Sequence, residues 1–173
     1  MVTAPPLPSL RRVRAVITAL ALGALLLAVP SAGAGPARGP WATVNVCDTE
    51  RNPDTIGIRA SMPGTGRARE RMEMRFRVQF FVPSSGRWRT ISRGADSGWV
   101  AVGSARFRAR QAGHSFRLTP SGTEIRLRGE VNFRWRRDGR VVRRARRLTA
   151  AGHRSSAGAD PAGYSVAECV IRV

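Results

Sequence analysis

From residue 41 onward, apolar and polar side chains alternate along the chain with a period of two. Successive side chains of a strand point to opposite faces, so this alternation predicts strands with one buried and one solvated face. Trp41–Cys47 reads as a first strand, and Ile56, Ile58, Ala60 and Met62 mark a second that Pro63-Gly64 ends. The clearest is the third: Met72, Met74, Phe76, Val78 and Phe80 alternate with Glu73, Arg75, Arg77 and Gln79. Pro83-Ser84-Ser85-Gly86 predicts a turn, and Arg87–Ile91 a short strand after it. Residues 93–98 read as a loop and Trp99–Val102 as an apolar segment, whereas 103–118 carries only the isolated Phe107, Phe116 and Leu118 and has no clear assignment. A second long alternating run follows in Ile125, Leu127, Gly129, Val131, Phe133 and Trp135. Asp138-Gly139 is a dipeptide of two-residue hairpins, so 140–149 is expected to return as the partner of that run. Residues 150–163 read as a polar, Gly-rich loop, and Tyr164–Val173 as a last strand with Ala167, Cys169, Ile171 and Val173 on one face. Residues 41–173 show no 3.6-residue periodicity and no internal repeat. The expected fold is all-β, a single domain built as an antiparallel β-sandwich of seven to nine strands.

The first 40 residues follow a different rule. Arg11, Arg12 and Arg14 precede the uncharged apolar run Ala15–Val29, and Ala32-Gly33-Ala34 supplies small residues at the spacing of an export cleavage site. That order is the order of a secretory signal peptide, and the run is shorter than the ~20 apolar residues of a membrane span. Residues 1–34 are therefore expected to be a signal peptide cleaved near Ala34, and 35–40 a linker. The mature chain is expected to be secreted or held in the cell envelope, without a transmembrane helix.

Export changes the reading of the two cysteines. Cys47 and Cys169 lie in the first and last predicted strands, and an even count in an oxidising compartment predicts that they are bonded.

Charge changes the picture further. The chain holds 30 basic residues, all arginine, against 11 acidic ones. Without a lysine, Schiff-base chemistry and a phosphate-binding P-loop are excluded. Two histidines and two cysteines are a poor endowment for a zinc site, and no metal or cofactor is expected. The arginines concentrate in the predicted hairpin: Arg134, Arg136, Arg137, Arg140, Arg143, Arg144, Arg146 and Arg147 stand against the single acid Asp138. A GC-rich coding bias accounts for arginine in place of lysine, but not for the shortage of acids. Eight guanidiniums on one ribbon repel unless they are spread in water or matched by anions, and their planar forks suit phosphate, sulfate and carboxylate. The expected partner is an anionic polymer or surface: acidic polysaccharide, lipid headgroups or nucleic acid.

The run of short strands, the long alternating strand 125–135 with Gly129 and Trp135, and the domain size resemble an immunoglobulin-like or fibronectin type III-like module over residues 41–173. The resemblance implies a binding or structural module. A disulfide between Cys47 and Cys169 would tie the chain ends instead of following the Cys…Trp…Cys order of immunoglobulin domains.

Catalysis is the rival expectation. Asp96-Ser97-Gly98 resembles the nucleophile turn of trypsin-like proteases, but His114 and His153 both follow it and neither has the matching context. Glu70, Glu73, Glu124 and Glu130 offer carboxylates for glycoside hydrolysis, although most fall on solvent-facing positions where pairing with arginine is the simpler fate. A small secreted hydrolase built on Ser97 or a carboxylate pair is thus one alternative, and a purely structural domain another. Both histidines are expected to be exposed. Trp41, Trp88, Trp99 and Trp135 are expected to pack in the core more than to form a sugar platform.

Overall fold

The computed structural model describes Met1 and residues 39–119 and 122–172. The expected signal peptide and its cleavage site fall outside the described residues. Among the described residues the regular structure is all β, with one 3-10 turn and no α-helix. The strands are β1 (Trp41–Thr49), β2 (Asn52–Pro63), β3 (Arg71–Val82), β4 (Arg87–Thr90), β5 (Val100–Ser104), β6 (Ala109–Arg117), β7 (Glu124–Arg137), β8 (Arg140–Leu148) and β9 (Glu168–Arg172). Every strand pairing is antiparallel.

Two sheets result. One has the order β1-β2-β6. The other has six strands, with the long β3 and β7 side by side at its centre. Each of these two is flanked by two short strands placed end to end: β5 and β4 along β3, β8 and β9 along β7. The alternation explains the core. Ala42, Val44, Ile56, Ile58, Ala60 and Met62 of the smaller sheet are buried in one cluster with Met72, Met74, Phe76, Val78, Leu127, Val131, Phe133 and Trp135 of the larger. The polar neighbours in sequence of the larger sheet's core residues therefore line the opposite face of that sheet.

The β7–β8 turn is the expected one. Asp138 and Gly139 both have positive φ, 49° and 78°, as a two-residue primed turn demands. Pro83–Ser85 forms the 3-10 turn before β4. Cys47 and Cys169 are bonded, with Cα atoms 5.6 Å apart, and join β1 to β9. Among the described residues no helix is long and apolar enough to cross a membrane.

Two segments depart from expectation. Residues 109–117 form β6, which pairs with β2 from Pro63↔Ala109 to Thr55↔Arg117. It lacks a period-two signature because it borders the smaller sheet with only Phe116 buried. The last strand begins at Glu168 and not Tyr164. Val166 instead exchanges two backbone hydrogen bonds with Val44 of β1, and Ala167 is exposed.

Candidate anion-binding face

The polar face of the six-stranded sheet is written by register. Glu73 lies opposite Arg134, Arg75 opposite Asn132, Arg77 opposite Glu130, and Gln79 opposite Arg128. β8 extends two of these rows with Arg144 beside Arg134 and Arg146 beside Asn132. β9 sets Glu168 beside Arg128. This face thus carries arginine on three adjacent strands, interrupted by Glu73, Gln79, Glu130 and Asn132.

Acids are fewer and each is engaged. Glu73 binds Arg134 through a short hydrogen bond and lies 3.7 Å from Arg136. Asp96, from the loop before β5, accepts from Arg75 Nε at 2.8 Å and lies 3.5 Å from Arg77. Glu130 accepts from Gln79 Nε2, Asn132 Nδ2 and Arg146, while Arg128 Nε donates to Gln79 Oε1. Arg126 pairs with Glu168 at 3.3 Å.

Aromatic planes complete the face. Arg128 stands 4.2 Å from the centre of the Trp88 ring, Arg126 4.2 Å from that of Phe81, and Arg134 3.9 Å from that of Trp99. Such stacking holds a guanidinium flat while leaving in-plane N–H donors free. Arg75, Arg77, Arg144, Trp99 and Asn132 surround a cavity of about 220 Å³ on this face.

The structure divides the eight hairpin arginines. Arg134, Arg136 and Arg146 belong to the paired network above, and Arg137 lies 3.9 Å from Glu70. Arg147 donates to the carbonyls of Pro40 and Arg146. Arg143 covers the Trp135 ring at 4.7 Å. Among the described residues Arg140, Arg143 and Arg144 have no acidic partner within ion-pair distance. The chain's own carboxylates thus match four of the eight, Arg134, Arg136, Arg137 and Arg146. Sequence reading missed Arg75, Arg77, Arg126 and Arg128, although they sit at the polar positions of the two strands it identified best.

The remaining candidates find ordinary partners. Ser97 Oγ accepts the Phe76 N–H and donates to the Gly98 carbonyl, so it fastens the loop to β3. His114 is exposed beside Phe116, at 4.6 Å. His153 differs from expectation: it is half-buried and stacks on Trp41 with ring centres 4.2 Å apart, and burial pushes its pKa down. Glu70 and Glu130 also differ, since both are buried, while Glu73 is half-buried and Glu124 exposed. Of the four tryptophans only Trp135 is fully buried; Trp99 is 38% exposed.

The buried acids set an acid limit. Burial pushes the Glu130 carboxyl up, but hydrogen bonds from Arg146 and Asn132 and the charges of Arg146 and Arg77 outweigh this, and its pKa is lowered. Glu70 is lowered chiefly by the Thr65 hydrogen bond, and Asp96 chiefly by that of Arg75. A carboxylate with a depressed folded pKa stabilises the protein above its unfolded pKa and loses that contribution as pH falls through the folded one. Melting temperature is therefore expected to fall steeply only below about pH 4, the ordinary carboxylate range. Glu130→Gln is expected to flatten this fall, and an unchanged profile in the variant would contradict the assignment.

No protein-family model matches the chain, and no curated protein sequence matches it.

Proposed function

We propose that this chain is an exported, non-enzymatic module that holds an anionic polymer or surface against the arginine face of its six-stranded sheet, with the β7–β8 hairpin as the extension of that face. The observation that carries the reading is the surplus of guanidiniums on three adjacent strands after every carboxylate of the face has been engaged. A guanidinium has five N–H donors, so even a paired arginine keeps donors for phosphate, sulfate or carboxylate oxygens. The aromatic planes and acids hold these donors in fixed orientations, which lowers the entropy lost on binding. Acidic polysaccharide, anionic lipid headgroups and nucleic acid are the partner classes. The N-terminal pattern of basic, apolar and small residues supports export, to the outside or the cell envelope. We read the architecture as an immunoglobulin-like β-sandwich, supported by two antiparallel sheets that bury one core.

The test is salt dependence. Binding that displaces condensed counterions weakens with salt at a log–log slope of about −0.9 per phosphate contacted on duplex DNA. Replacing Arg128 and Arg144, which stand on the polar face, together by glutamine is expected to flatten the slope by up to about two units without loss of folding. Among the described residues neither has an acidic partner within ion-pair distance, so their removal strands no buried carboxylate. The control replaces Arg87, Arg89 and Arg93, exposed arginines at β4 and the loop after it. Equal flattening by both sets would mean diffuse charge and no face.

A further inference from the structure

A second cationic feature lies where the chain passes from the larger sheet to the smaller. β5 ends at Ser104, residues 105–108 turn, and β6 begins at Ala109. Arg71 at the start of β3, Arg106 and Phe107 of the turn, and Arg110 of β6 line a cleft of about 470 Å³ with Gly103 and Ser104. No acid lines it. The adjoining Glu70 is taken up by Thr65 at 2.6 Å and Arg67 at 3.2 Å. Among the described residues no carboxylate lies within ion-pair distance of Arg71, Arg106 or Arg110.

Two of these guanidiniums share one aromatic ring. Both Arg106 and Arg110 stack on the Phe107 ring, at 4.5 and 3.9 Å from its centre. The turn is tied to residues 64–70 by hydrogen bonds of Gly64, Thr65 and Gly66 N–H to the carbonyls of Arg108 and Ala105, and of Ala105 N–H to Glu70. Ser104 Oγ adds a bond to the Ala68 carbonyl. Gly64 is obligatory in this frame, because a Cβ there would stand 1.8 Å from the Phe107 carbonyl oxygen. Arg110 Nε is buried with no hydrogen-bond partner. A buried charged donor left unsatisfied is costly, and three like charges around one cleft repel, so the site lacks an acceptor that carries negative charge.

We propose that this cleft binds a phosphate or sulfate monoester. A tetrahedral oxyanion offers three acceptor oxygens to three guanidiniums, whereas a carboxylate offers two. The cleft exceeds the size of a bare ion and falls within the range of small-molecule sites, leaving room for the group that bears the ester. This site is independent of the arginine face: it lies at the sheet crossover and draws on none of the eight hairpin arginines.

The experiment is calorimetric titration of the full chain with methyl phosphate, methyl sulfate and acetate at pH 7.5 and pH 5. Saturable binding of at least one monoester, tighter than that of acetate, is the expected result. Arg106→Gln and Arg110→Gln are each expected to weaken it about tenfold, the range of a charge-assisted hydrogen bond. Arg106 is exposed on a turn, so its variant serves if Arg110→Gln does not fold. The second phosphate proton leaves near pH 6 while arginine stays charged, so methyl phosphate should bind more tightly at pH 7.5 and methyl sulfate equally at both. The tighter ester identifies the natural group. The control Arg87→Gln/Arg89→Gln, exposed arginines of β4 outside both the cleft and the face, should leave monoester binding unchanged. No saturable binding of either ester, acetate binding as tightly, or equal weakening by the control would each overturn the proposal. Monoester binding without polymer binding would instead sink the reading of the face and keep the cleft.

Discussion

Replacing Cys47 and Cys169 together by serine is expected to lower stability by up to about 4.7 kcal/mol, the chain-entropy figure for a loop of ~100 residues. The bond spans 122 residues, so it constrains almost the whole folded domain when the chain is unfolded. The native structure gives the effect a second source. β1 pairs with β2 along one edge, but its other edge meets irregular chain, through the Ala150 N–H to the Ala42 carbonyl and the contacts of Asp160 and Val166 with Asn45 and Val44. β9, at five residues, is held by β7 alone in the sheet ladder. Without the bond both chain ends are free to fray. A fall in melting temperature of roughly 10–20 °C is expected for a domain of this size. Limited proteolysis should open first near Trp41 and near Glu168. A double variant that melts with the wild type would show that the staple adds nothing to pairing already secure.

The fold was legible wherever one strand face is buried and the other solvated. In β3 and β7 every core residue is separated from the next by a polar one, so period, length and centre were all readable. β6 was not, because an edge strand with one buried side chain leaves no alternating trace. The 164–167 stretch misled for a related reason. Its apolar residues serve β1 through an isolated bridge, and not the ladder that β9 forms with β7. Periodicity reports which face is buried, not which strand is the neighbour.

The proposed arginine face was legible by composition and illegible by register. Counting arginines pointed to 134–147, where they are densest. It could not show that Glu73, Glu70 and Glu130, distant in sequence, would take up Arg134, Arg136, Arg137 and Arg146. Nor could it show that Arg75 and Arg77 would share Asp96 on the same face. The crossover cleft was still further from view. Its arginines come from β3, a turn and β6, and only the packing of residues 64–70 against the turn brings them together.

Trp135→Ala is expected to cost about 3–5 kcal/mol, the range of a large aromatic removed from a packed core. Trp135 is fully buried, in one cluster with Phe133, Met72 and Met74. Its Nε1 donates to the Pro63 carbonyl at 3.1 Å, at the end of β2 where the 64–70 loop begins. Truncation therefore opens a cavity and leaves that carbonyl without its donor, two penalties that share one site and do not simply add. The loop so released is the one that fixes the 105–108 turn, so monoester binding at the crossover cleft should weaken even though Trp135 does not line it. Trp135→Phe fills most of the volume but cannot donate; it should cost less in stability while still loosening the loop. Arg143→Ala removes only the cation above the ring and should cost about 0.5–1 kcal/mol. Urea unfolding followed by circular dichroism separates the three, since it needs no tryptophan signal. A cost below about 1 kcal/mol for Trp135→Ala would mean that the core does not close around this side chain.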